Sequence, residues 1–114
     1  MDSELERELR ELRASYAADL PVTIREINSL WDGVLNRKDG PIALQTLQKR
    51  VHHLAGTGTA FGFSAVTDIG RKLECALDPL VENHVNMNED LGSSIGALLE
   101  ALNQAISNPD PDGQ

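Results

Sequence analysis

Apolar residues return every three or four positions through most of this chain, the spacing that gathers them on one face of an α-helix. In the first segment they are Leu5, Leu9, Leu12, Tyr16 and Leu20. They predict a helix over about residues 3–19 that ends or restarts at Pro21, because proline lacks an N–H and collides with the preceding turn. With Pro21 in a first turn, Ile24, Ile27, Leu30, Trp31, Val34 and Leu35 predict a second helix that stops near Asn36, before the turn-forming Lys38-Asp39-Gly40. Pro41 opens a third, with Leu44, Leu47, Val51, Leu54, Ala55 and Gly58 on one face and its far end at Phe61-Gly62. Ser64 is placed to cap a fourth, whose stripe is Val66, Ile69, Leu73, Leu77 and Leu80, and the chain breaks again around residues 83–86. Asn88, followed by Glu89 and Asp90, caps a fifth carrying Leu91, Ile95, Leu98, Leu99, Leu102 and Ile106 and ending near Ser107.

Short connections between such helices predict antiparallel neighbours. The expected fold class is therefore all-α: an antiparallel up-and-down four-helix bundle with an additional N-terminal helix, spanning residues 1–107. The proline-rich tail 108–114 is expected to be disordered. Aromatic residues are only 4 % of the 114, which favours packed aliphatic helices over a β-sandwich and leaves Trp31, Phe61 and Phe63 as core or helix-junction residues. A formal net charge of -8 argues against nucleic acid and anionic membranes as partners. No stretch approaches the roughly 20 apolar residues that cross a bilayer, so a cytoplasmic monomer is expected. The single cysteine, Cys75, rules out an internal disulfide and a thiolate cluster for zinc.

Chemistry concentrates in His52-His53-Leu54-Ala55-Gly56-Thr57-Gly58-Thr59-Ala60-Phe61-Gly62-Phe63. A helix built for stability alone avoids Gly56 and Gly58, each of which costs roughly 1 kcal/mol against alanine. Gly56 lies one turn after His52, leaving bare backbone beside the imidazole where another molecule can approach. His52 falls on the flank of the apolar stripe, in a row with Gln45, Gln48, Gly56 and Thr59, whereas His53 points away from the core. From Arg37 to Lys72 the chain carries six basic residues (Arg37, Lys38, Lys49, Arg50, Arg71, Lys72) against Asp39 and Asp68. That local balance of +4 against -12 elsewhere makes an anion the natural guest, a phosphoryl group above all. Adjacent histidines diverge on a helix and His84 is remote, so no metal site is expected. The glycines fit neither a dinucleotide fingerprint nor a P-loop, and no ATP site is expected.

These residues resemble the signature of the histidine-containing phosphotransfer (Hpt) domain: a histidine, two residues, a position that is usually lysine, a glycine, then small residues and a phenylalanine-glycine pair. The resemblance extends to Leu73-Glu74 and to a helix start at Leu20-Pro21. It implies that His52 is the phosphoryl acceptor, exchanging the group with the aspartate of response-regulator receiver domains in a two-component phosphorelay. A hybrid sensor histidine kinase is a second expected partner. The chain would be a carrier rather than an enzyme, with no cofactor of its own, the receiver bringing Mg2+. Gln48, Lys49, Gly56, Thr59, Arg71 and Lys72 are the expected supporting or partner-binding residues. One departure is Ala55, which stands where the family generally has lysine. It keeps open the alternative of a helical adaptor that binds a signalling partner without passing phosphate, against which the intact histidine argues.

Overall fold

A computed structural model describes residues 3–36, 40–82 and 88–108 of the chain. All secondary structure among them is helical: α1 (Glu4–Leu35), α2 (Gly40–Thr57), a short 3-10 turn (Thr59–Phe61), α3 (Ser64–Glu82) and α4 (Glu89–Ala105). The turn expected at Lys38-Asp39, the break at residues 83–86, His84 and the tail beyond Asn108 lie outside the described residues.

The first departure from the expected pattern is at Pro21, which sits inside α1 without dividing it. Proline removes one hydrogen bond and presses on the carbonyl one turn back. Here Pro21 faces solvent, where water can meet that carbonyl, while Leu20 and Ile24 on either side of it are buried. Tertiary burial holds the helix through a local defect. The expected N-terminal helix is thus the first half of a single 32-residue helix, about 48 Å long at 1.5 Å per residue. That length sets the long axis of a molecule measuring 55 × 22 × 21 Å.

Caps begin both α1 and α4. The Ser3 hydroxyl accepts from the Glu6 N–H at 3.1 Å, with Glu4 and Glu6 in the first turn. The Asn88 side chain accepts from the Leu91 N–H at 2.8 Å, again with acids, Glu89 and Asp90, at the positive end of the helix dipole. Packing follows chain order, α1 on α2, α2 on α3 and α3 on α4, with α4 returning to α1. Side-chain pairs show that α2 runs opposite to its neighbours. Arg50 meets Glu26 and Thr57 meets Tyr16 on α1, while Gln48 meets Asp78 and His52 meets Glu74 on α3.

One core fills the interior. It takes Leu20, Ile24, Ile27 and Trp31 from α1, Leu47, Val51 and Leu54 from α2, and Phe63 from the connection. Val66, Leu73, Leu77 and Leu80 of α3 and Ile95, Leu99, Leu102 and Ala105 of α4 complete it. Each large aliphatic side chain so buried contributes about 1.5–3 kcal/mol against exposure.

The second departure is the end of α2. The apolar pattern carries the helix to Phe61-Gly62, but α2 stops at Thr57 and the chain turns through the 3-10 segment. Gly58 is the reason: a Cβ there would stand 2.6 Å from Thr67 Oγ1 and 2.8 Å from the Phe63 carbonyl oxygen. The missing side chain lets the start of α3 close against the end of α2, and the Thr67 hydroxyl then accepts from the Thr59 N–H at 2.7 Å. Gly62 ends the turn at φ 90°, a left-handed conformation that glycine adopts without strain.

Candidate functional site

His52 sits in the last third of α2 with its side chain 78 % exposed, on the flank that meets α3. Its Nδ1 lies 2.7 Å from Oε2 of Glu74, a carboxylate held at 24 % exposure on α3. An ionised carboxylate only accepts hydrogen bonds, so this contact places the proton of the neutral imidazole on Nδ1. The lone pair is then on Nε2. His53, one residue on, is also exposed, and its carbonyl accepts from the Thr57 hydroxyl at 3.0 Å.

A groove between the two helices joins Gln48, Lys49 and His52 of α2 to Glu74, Asp78 and Glu82 of α3. Gln48 Nε2 donates to Asp78 Oδ1 at 2.8 Å, which fixes the floor one turn from the histidine. Gly56, one turn the other way, is exposed, and a Cβ built on it would meet nothing within 4 Å. The bare backbone expected beside His52 is therefore present, whereas Gly58 serves the internal turn instead.

Of the supporting residues expected from sequence, Gln48, Lys49 and Gly56 flank His52. Arg71 is exposed on α3 one turn before Glu74, on the same side of that helix. Lys72 is rotated a further 100° round it and does not line the groove. Thr59 leaves the row altogether, because α2 ends before reaching it and its N–H is tied to Thr67.

The expected concentration of positive charge at His52 is corrected by the fold. Arg50 turns to α1 and pairs with Glu26 at 3.1 Å, and Arg37 and Lys38 lie outside the described residues. The groove itself holds one ammonium, Lys49, against three carboxylates. Glu74, Asp78 and Glu82 were invisible as a group because they belong to the fourth predicted helix rather than the histidine segment. Their four-residue spacing, together with the antiparallel return of α3, is the signal that unites them.

Ala55 is 4 % exposed and faces Gly70, where an added Cβ would come within 3.1 Å of the Ala55 Cα and Cβ. The position that resembles the family's lysine is thus a close helix-helix contact in this chain. Cys75 is exposed and does not line the groove. Among the described residues no group of three or more His, Cys, Asp or Glu is arranged to hold a metal ion, and no helix is long and apolar enough to cross a membrane. Comparison with known proteins yields no matching family model, no matching curated protein and no matching solved structure.

Proposed function

We propose that this chain is a histidine phosphotransfer protein, carrying a phosphoryl group on His52 to and from the aspartate of response-regulator receiver domains. The observation that supports this best is the exposed imidazole of His52 with Nδ1 bonded to Glu74, because it leaves Nε2 as the nucleophile. Nε2 attacks phosphorus, the bond from phosphorus to the aspartyl oxygen breaks, and the partner's carboxylate leaves. The ring then bears Nδ1–H and Nε2–P with a developing positive charge, which the Glu74 carboxylate stabilises. In the reverse step the same phosphoramidate hands the group on.

The three carboxylates of the groove shape the partner. A phosphoryl donor approaching them is favoured when it brings its own cations, which suits a receiver that supplies Mg2+. Gly56 gives that partner backbone-level access to the ring. The proposed carrier has no kinase or ATP site of its own. A hybrid sensor histidine kinase is a further proposed source of phosphate. In the same reading the four helices form an up-and-down bundle, and the first turns of α1 stand for the additional N-terminal helix.

The acidic groove and the buried Ala55 favour a second reading, a helical adaptor that binds a signalling partner without accepting phosphate. One experiment separates the two. Incubation with a phosphorylated receiver and Mg2+ should label the chain in an acid-labile, alkali-stable form. His52→Gln should abolish the label while His53→Gln keeps most of it. Absence of labelling from every receiver tested would favour the adaptor.

A further inference from the structure

The N-terminal turns of α1 overhang the core. Leu5, Leu9 and Leu12 are 63 %, 43 % and 53 % exposed. They continue the face that the same helix buries further along with Leu20, Ile24, Ile27 and Trp31. Their steps of four and three residues are those of a coiled-coil seam, in positions d, a and d, with Tyr16 at the next a position. At Tyr16 the helix packs on the end of α2 and the 3-10 turn: its hydroxyl is 3.0 Å from that of Thr57, and its ring stacks on Phe61 at 4.6 Å.

We propose that this stripe pairs with the same stripe of a second copy of the chain, the two overhangs lying antiparallel about a twofold axis. Two observations fix the occupant and its direction. Beyond Tyr16 the same face of α1 is occupied by α2 and the 3-10 turn, so a parallel pair would drive two cores into one space. An antiparallel pair sets the cores at opposite ends, each overhang lying beyond the other copy's 3-10 turn. Charge is the second observation. Glu6 and the partly buried Arg13 occupy the e positions along one edge of the seam, and reversing the second helix brings each Glu6 toward the other copy's Arg13, in addition to the contact Arg13 already makes. The opposite edge sets Glu8 against Ser15, with no like-charge contact.

An interface of three turns per copy is small, so the dimer is expected to be concentration dependent. The His52 groove lies between α2 and α3, away from this stripe, and stays open in both copies. The pairing is thus independent of the proposed phosphotransfer, and it replaces the expected monomer.

Sedimentation of the full chain tests it. Between about 1 µM and 1 mM the mass should climb from 12.4 kDa toward twice that value. Leu9→Gln should weaken association at least about tenfold with the helical circular-dichroism signal unchanged, because Leu9 lies outside the core. Glu6→Arg should also weaken it, and Glu6→Arg combined with Arg13→Glu should restore it. In a parallel pair Glu8 would face the other copy's Arg13, so the double exchange would not restore association. A monomer at every concentration, leaving the stripe to a different protein, would overturn the proposal, as would a dimer indifferent to Leu9. Failure of the double exchange would overturn the antiparallel register.

Discussion

Glu74 accepts a hydrogen bond from His52 across 22 residues of sequence and 2.7 Å of space, and that single contact leaves the lone pair of the neutral imidazole on Nε2. Replacing Glu74 with Ala should slow the proposed phosphoryl transfer to His52 by about ten- to hundredfold, since the ring loses its fixed tautomer and orientation. Stability should hardly move, because His52 is largely in water and exposed pairs of this kind contribute about 1 kcal/mol or less. Initial labelling rates from a phosphorylated receiver, set beside urea unfolding curves, check both halves.

Gly56 and Gly58 should behave oppositely. Gly56→Ala has open space and a helical site, so it should stabilise by up to about 1 kcal/mol. Gly58→Ala collides with Thr67 and the Phe63 carbonyl and should destabilise by about 1–3 kcal/mol. A larger side chain, Gly56→Leu, should leave folding intact yet slow phosphotransfer by covering the approach to His52. Equal stability losses at both glycines would sink this division of roles.

Ala55→Lys tests the position where the Hpt resemblance expects a cation. The side chain would start from a site packed on Gly70, so a loss of about 1–3 kcal/mol is expected before any electrostatic benefit is realised. Gly70→Ala strains the same contact from the other helix. Moving the methyl across, with Ala55→Gly and Gly70→Ala together, should recover much of that loss. A double-mutant cycle in urea gives the coupling directly.

Tyr16, the only tyrosine, carries a pH signature. Burial pushes its phenol above the ordinary value of about 10, with the Thr57 hydrogen bond pulling it partly back. The unfolded chain therefore loses this proton first as pH rises. Stability from the neutral phenol is complete below the ordinary tyrosine value and declines as pH climbs through it toward the folded-state value. Tyr16→Phe should cost about 1 kcal/mol at neutral pH and show a shallower alkaline decline. Parallel pH curves for the two proteins would contradict the assignment.

Much of the fold was legible in the residues alone. From Leu20 onward the apolar stripes found the buried faces, including Trp31, Leu54, Leu77 and Leu102, because a period of 3.6 residues is a local property of the chain. Asn88 announced its helix for the same reason: a cap bonds to an N–H three residues away. His52 with the bare Gly56 one turn on was equally local. Tertiary packing decided the rest. Pro21 stays inside α1 because burial on both sides of it outweighs one lost hydrogen bond. Gly58 is spent on the close return of α3, and that return brings Glu74, Asp78 and Glu82 to the histidine while Arg50 turns away to Glu26. Which charges stand beside His52 depends on how two helices dock across a turn, and the period within one helix marks its buried face without saying which residues of another helix that face will meet.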